Sequence, residues 1–237
     1  MKKLIELNTD DNHIIYWTLE YLKEKNYKII IFVHWLFWNQ NDIQYINATK
    51  YFYGEGFDTF IFDLYSDNKN ARKLNECSIS TNSIDLQNVI NYFKLQYKDL
   101  YIIAHSLGGL AVINTDTSII SKIILWEPSA WLRKEEEKSD INYDKKSWLY
   151  VVDRWVKFTI NNKMIKEWKD AVNINKYINK LNNNINFIFA WNSPIYKNRK
   201  PYISNYKQTV IKWASHTFSK ENIEKQLFEQ TLKYLIK

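Results

Sequence analysis

Between residues 28 and 126 the apolar positions alternate between two rhythms. Lys28-Ile29-Ile30-Ile31-Phe32-Val33 is a continuous apolar run, the pattern of a strand buried on both faces of a parallel sheet. A helical stretch follows from Ile43 to Tyr53 and ends near Gly54-Glu55-Gly56; Thr59-Phe60-Ile61-Phe62 then repeats the strand pattern. Thr81-Asn82-Ser83 predicts a cap for a helix whose inward face is Ile84, Leu86, Val89, Ile90 and Phe93. Leu100 to Ala104 is the next strand, a helix follows Ser106, and Ile119 to Trp126 holds another strand. Such alternation predicts βαβ units and a mostly parallel sheet flanked by helices. The chain before Lys28 predicts edge strands, one near His13 to Thr18.

The rhythm changes after Trp126. From about 130 to 184 no buried strand is evident, and Trp148, Val151, Val152, Trp155 and Val156 fall on one helical stripe. Ile185 to Ala190 and Thr209-Val210-Ile211 restore the strand pattern, and a last helix is predicted over Glu221 to Ile236. The expected organisation is an α/β core, residues 1–129 and 185–237, interrupted by a helical cap insertion at 130–184.

Composition narrows the class. With 46% hydrophobic and 16% aromatic residues in 237, the chain can bury a substantial core and is not disordered. The net charge is +7, but lysines are scattered and the sharpest charged run, Arg133 to Lys138, is mixed in sign; this predicts a solvated surface and no nucleic-acid partner. A single cysteine, Cys77, allows no internal disulfide and fits a reducing compartment; it reads as a small apolar filler. Met1 to Leu7 begins with the charge of a leader but turns acidic before an apolar core forms, and no apolar run is long enough to span a bilayer. A cytoplasmic protein is expected. No Cys/His spacing suggests a metal site, and no glycine-rich loop suggests a nucleotide cofactor.

The chemistry concentrates in "YIIAHSLGGL", residues 101–110, where two of only 4 glycines in the chain follow a serine after a single leucine. Ser106 sits where a strand ends and a helix begins, the position of ligand sites in parallel sheets. Small neighbours, Ala104, Gly108 and Gly109, permit a sharp turn, and the helix start offers N–H groups to a developing oxyanion. This is the context of a nucleophile elbow, with Ala104 in place of the first glycine. A nucleophilic serine needs a base, and His13, His34, His105 and His216 are the candidates.

Residues 104–109, "AHSLGG", and the strand pattern around them resemble the α/β-hydrolase superfamily over most of the chain. The resemblance implies the α/β-hydrolase fold and a serine hydrolase that cleaves a small-molecule acyl ester or thioester without a cofactor. It implies His216, in "ASHTFSK", as general base. The family usually carries its acid after the penultimate strand, but "FAWNSPIYK", residues 189–197, holds Asn192 and Ser193 and no carboxylate. Some members place the acid one strand earlier, which implies Glu127 in "LWEPS". The oxyanion donors are implied to be the backbone N–H groups of Leu107 and Leu36. Trp35 stands at a usual glycine position, and Trp35, His34 and Trp131 are implied substrate neighbours, although His34 also reads as a structural histidine. Asp63, after the strand Thr59–Phe62, reads as structural, with a substrate-binding or loop-orienting group as the alternatives. Acyltransferases, lyases and peptidases share the fold. Trp35 and the acid-less turn leave, as a competing reading, a catalytically weak protein of this fold that binds a ligand or partner.

Overall fold

The computed structural model describes residues 1–22, 26–34, 36, 39–128, 141–153, 157–171, 178 and 184–236, and structural statements below concern these. Eleven strands and six α-helices follow in chain order: β1 Lys2–Asn8, β2 Ile14–Glu20, β3 Lys28–Val33, α1 Ile43–Gly54, β4 Asp58–Phe62, α2 Ile79–Phe93, β5 Asp99–His105, α3 Leu107–Ile113, β6 Ile120–Trp126, β7 Ile141–Asp144, β8 Leu149–Asp153, β9 Lys157–Ile160, α4 Asn162–Ala171, β10 Ile185–Ala190, α5 Pro194–Arg199, β11 Lys207–Ile211 and α6 Glu221–Ile236.

Eight strands form one sheet in the order β1-β2-β4-β3-β5-β6-β10-β11. β1 and β2 pair antiparallel, as do β2 and β4, and every other neighbouring pair is parallel. The apolar runs behave as their composition requires. Along β3, Ile29, Ile31 and Val33 enter the core shared with α2 and α3, while Ile30 and Phe32 enter the opposite core with α1 and α6. Both faces are therefore covered, as a parallel sheet demands. From β3 the chain passes outward to β4 and then crosses to β5 on the other side. The switch point lies between the carboxyl ends of β3 and β5, where such sheets place their ligand crevice.

Two sequence expectations are corrected. Helix α2 begins at Ile79, not after Thr81. Ser78 is the cap, accepting from the Thr81 N–H at 3.1 Å while Thr81 Oγ1 accepts from the Ser78 N–H at 2.8 Å. This reciprocal box satisfies two orphan donors. The insertion is also not all helical, because β7, β8 and β9 form a three-stranded antiparallel sheet ahead of α4. The stripe from Trp148 to Val152 fits a helix by spacing, but local turn chemistry prevails. Asp144 accepts from the N–H groups of Lys146 and Ser147 and from the Ser147 hydroxyl, and Trp148 closes the turn at φ 61°. That is a four-residue hairpin connection nucleated by an Asx turn. The insertion docks through Asn161, whose Nδ2 donates to Asn75 O and Cys77 O, and through Glu167, which accepts from the Ser80 N–H and hydroxyl.

Candidate active site

The turn after β5 is built around Ser106, held at φ 51°, ψ −116°. A non-glycine residue there carries roughly 1–3 kcal/mol of backbone strain. The turn is pinned by the Ser106 N–H, which donates to Trp126 O at 2.9 Å, continuing the β5–β6 ladder past the strand end. The glycines answer to close approach. A Cβ on Gly108 would strike the carbonyl oxygen of Val33 and lie 2.8 Å from that of His34, and one on Gly109 would lie 2.9 Å from Pro128 Cβ. Helix α3 thus starts directly against the end of β3. Gly108→Ala is expected to cost about 3 kcal/mol or more, because backbone must move to admit the methyl. Thermal denaturation checks this, with an expected fall in Tm of about 6 °C or more.

Three side chains from distant parts of the chain meet at this end of the sheet. His216 Nε2 lies 3.0 Å from Ser106 Oγ, and its Nδ1 lies 3.3 Å from Glu127 Oε2. Glu127 follows β6 with φ 45° and is fully buried. A buried carboxylate needs donors. Oε1 accepts from the Ala190 N–H at 2.6 Å, and Oε2 accepts from the Ser193 hydroxyl at 2.8 Å. The turn after β10 therefore holds no acid of its own but orients one from the neighbouring strand. Ser193 went unrecognised in the sequence, where only the absence of a carboxylate at 189–197 marked that turn. A serine also caps a helix, and Ser193 does so for α5, accepting from the N–H groups of Ile195 and Tyr196.

The loop carrying His216 is held by its own backbone carbonyls. His105 Nε2 lies 2.8 Å from His216 O, and Gln44 Nε2 donates to Thr217 O at 2.7 Å. Since the partner is a carbonyl, Nε2 of His105 carries the proton. Burial drives the His105 imidazole well below its ordinary pKa, and nearby His216 pushes in the same direction. The folded state therefore keeps His105 neutral while the unfolded chain takes up a proton below about pH 6.5. The linked stability is complete above that pH and is lost as pH falls, by up to about 1.4 kcal/mol per pH unit. Denaturant midpoints measured at about pH 7.5 and about pH 5 are expected to converge in a His105→Gln variant relative to the wild type, once this ionisation is removed.

The remaining candidates sort as follows. Leu36 and Leu107 are both buried, Leu107 as the first residue of α3. His34 is fully buried; its Nε2 accepts from the Leu64 N–H at 2.9 Å and its ring meets Tyr65 edge-on. It ties the end of β3 to the segment after β4, the structural of its two readings. Trp35 and Trp131 lie outside the described residues, as does Trp155. Trp168 packs into the core, whereas Trp148 is exposed. Asp63 orients a loop: its carboxylate accepts from the Gln40 N–H at 2.7 Å and from Gln40 Nε2 at 3.0 Å. Cys77 is buried, and that burial raises its thiol pKa. Among the described residues no group of three or more His, Cys, Asp or Glu could hold a metal ion, and no helix is long and apolar enough to cross a membrane.

No protein-family model and no curated protein matches the sequence. Solved structures do match along nearly the whole length. Est1E from Butyrivibrio proteoclasticus superposes with a TM-score of 0.77 at 15% identity, covering 99% of each chain. The esterase domain of a Rhodothermus marinus protein gives 0.72 at 14% identity over 98% of this chain and 96% of its own. Alpha/beta hydrolase domain-containing protein 10 from mouse gives 0.68 at 16% identity over 99% and 98%. The parallel sheet, its switch point and these superpositions agree: the chain has the fold of the α/β-hydrolase superfamily.

Proposed function

We propose that the protein is a serine hydrolase that cleaves a carboxylic ester or thioester through an acyl-enzyme on Ser106. The observation that carries this reading is the unbroken chain of contacts from Ser106 Oγ through both ring nitrogens of His216 to Glu127. Glu127 accepts from Nδ1–H and leaves Nε2 unprotonated, facing the serine hydroxyl. As Ser106 Oγ bonds to the acyl carbon, its proton passes to Nε2, and the carboxylate stabilises the imidazolium. The carbonyl oxygen becomes an oxyanion, for which the backbone N–H groups of Leu107 and Leu36 are the proposed donors; each such donor is worth ~10²–10³ in rate. Collapse of the tetrahedral adduct breaks the bond to the leaving alcohol or thiol, which takes the proton from Nε2. Water repeats the sequence on the acyl-enzyme, giving its proton to His216 and releasing the carboxylic acid and free Ser106.

The neighbour described as an esterase domain supports this class of reaction. The proposed division is a hydrolase core, 1–129 and 185–237, with residues 130–184 as a cap. The experiment is labelling with a fluorophosphonate probe, read by peptide mass spectrometry. Rapid modification confined to Ser106 and lost in Ser106→Ala is expected. A folded wild type that stays unlabelled overturns the proposal in favour of a ligand-binding protein of this fold.

A further inference from the structure

The positive charge of the chain is less evenly scattered than its lysines suggest. Residues 171–220 carry eight basic residues and no acidic one, whereas the other 187 residues carry 25 basic and 26 acidic. The whole net charge therefore arises from one fifth of the sequence. Asp170 and Glu221 flank this segment on either side. Glu127, which bonds Ala190 and Ser193 of this segment, is fully buried and adds no carboxylate to its surface.

Within this segment the loops after β10 and β11 also expose aromatic rings. Both strands run parallel to β6, which runs parallel to β5, so these loops emerge at the Ser106 end of the sheet. Trp191 is 39% exposed and Trp213 is 74% exposed, their ring centroids 6.0 Å apart and inclined at 45°. Trp213 stands three residues before His216 in the left-handed region, at φ 64°. A tryptophan there carries backbone strain and leaves most of its apolar surface in water. Tyr202, 50% exposed, ends the turn that follows α5, and Lys197 and Lys200, on the segment after β10, and Lys212, beside Trp213 in the chain, are exposed.

Exposed basic side chains and paired tryptophans on the same two loop segments match the chemistry of the bilayer interface. Indole rings partition to the headgroup level, and lysines are drawn to anionic headgroups. A nucleic-acid strand is less well matched, since the two indoles, 6.0 Å apart and inclined at 45°, leave no parallel gap for a base to stack between them. We propose that the loops after β10 and β11 form a docking face for an anionic lipid surface, with Trp191 and Trp213 entering the headgroup layer and Lys197, Lys200 and Lys212 pairing with lipid phosphates. This goes beyond the proposed hydrolysis and needs no turnover.

The test is flotation of the full-length Ser106→Ala protein with vesicles of phosphatidylcholine alone or mixed with phosphatidylglycerol. The serine variant keeps lipid chemistry out of the readout, so loss of docking and loss of hydrolysis are told apart. Binding only to the anionic vesicles is expected, weakening with added salt. Changing Lys197, Lys200 and Lys212 together to Gln should lower the partition coefficient about 100-fold, from about five-fold per charge. Trp213→Ala, at an exposed site where folding is not at stake, should lower it several-fold. Equal binding to neutral vesicles, no binding to anionic ones, or a triple lysine variant that floats like its parent overturns the proposal. Tighter retention on a single-stranded oligonucleotide, indifferent to Trp213, also overturns it and assigns the basic face to nucleic acid.

Discussion

Ser106→Ala is expected to lower turnover of an activated acyl ester by about 10⁶-fold, to what the emptied site achieves by binding and oxyanion stabilisation alone. The size of this effect follows from the proposed mechanism, in which the three groups act as one unit. Without Oγ, His216 has no proton to take at Nε2, and Glu127 orients a ring that does nothing. Adding His216→Ala to Ser106→Ala should therefore cost almost nothing more, and steady-state kinetics of the two single variants and the double variant check this. Additive losses would show that Ser106 and His216 serve separate purposes. The variant should fold normally, because the Ser106 backbone N–H bond to Trp126 O does not involve the side chain.

Glu127→Gln is expected to lower kcat by about 10⁴-fold while leaving the site's shape intact. The carboxylate faces three donors: the Ala190 N–H, the Ser193 hydroxyl and His216 Nδ1. An amide of the same size has one oxygen to offer and must turn its NH₂ toward at least one of them. The Ala190 N–H cannot change its role, so the oxygen stays there and the NH₂ turns toward Ser193 and His216. The hydroxyl can rotate to accept; His216 can accept only by moving its own proton to Nε2, and an Nε2–H cannot take a proton from Ser106. Kinetics together with ¹⁵N shifts of the His216 ring distinguish this tautomer change from simple unfolding. Undiminished turnover would remove Glu127 from the mechanism.

The strands of the core were legible because burial on both faces leaves continuous apolar runs, and β3, β4, β5, β6 and β10 follow those runs closely. Ser106 stood out because close approach to the end of β3 admits only glycine at 108, a demand visible as local sequence. What the sequence hid is of two kinds. The hairpin from β7 to β8 mimics a helical stripe, and only the Asp144 side chain, bonding its own turn, tips the balance. Contacts such as Gln44 with Thr217, 173 positions apart, or Ser193 with Glu127 leave no periodicity, since each is fixed by tertiary packing alone. Glu127 lay between these cases. Its place at a strand end was readable, but the partners that make its burial tolerable belong to another strand.

That dependence bears on how the protein is made. On the ribosome the chain passes Ser106 and Glu127 first, and His216 follows Glu127 only 89 positions later. Until the chain reaches position 190, Ala190, Ser193 and His216 are all unmade, and a half-synthesised domain lacks the donors that solvate Glu127 away from water. The nascent protein thus holds Ser106 without the histidine that faces it, and the last strand to be translated completes the sheet just before His216 is added. A chain interrupted before the loop at 216 lacks the imidazole that faces Ser106.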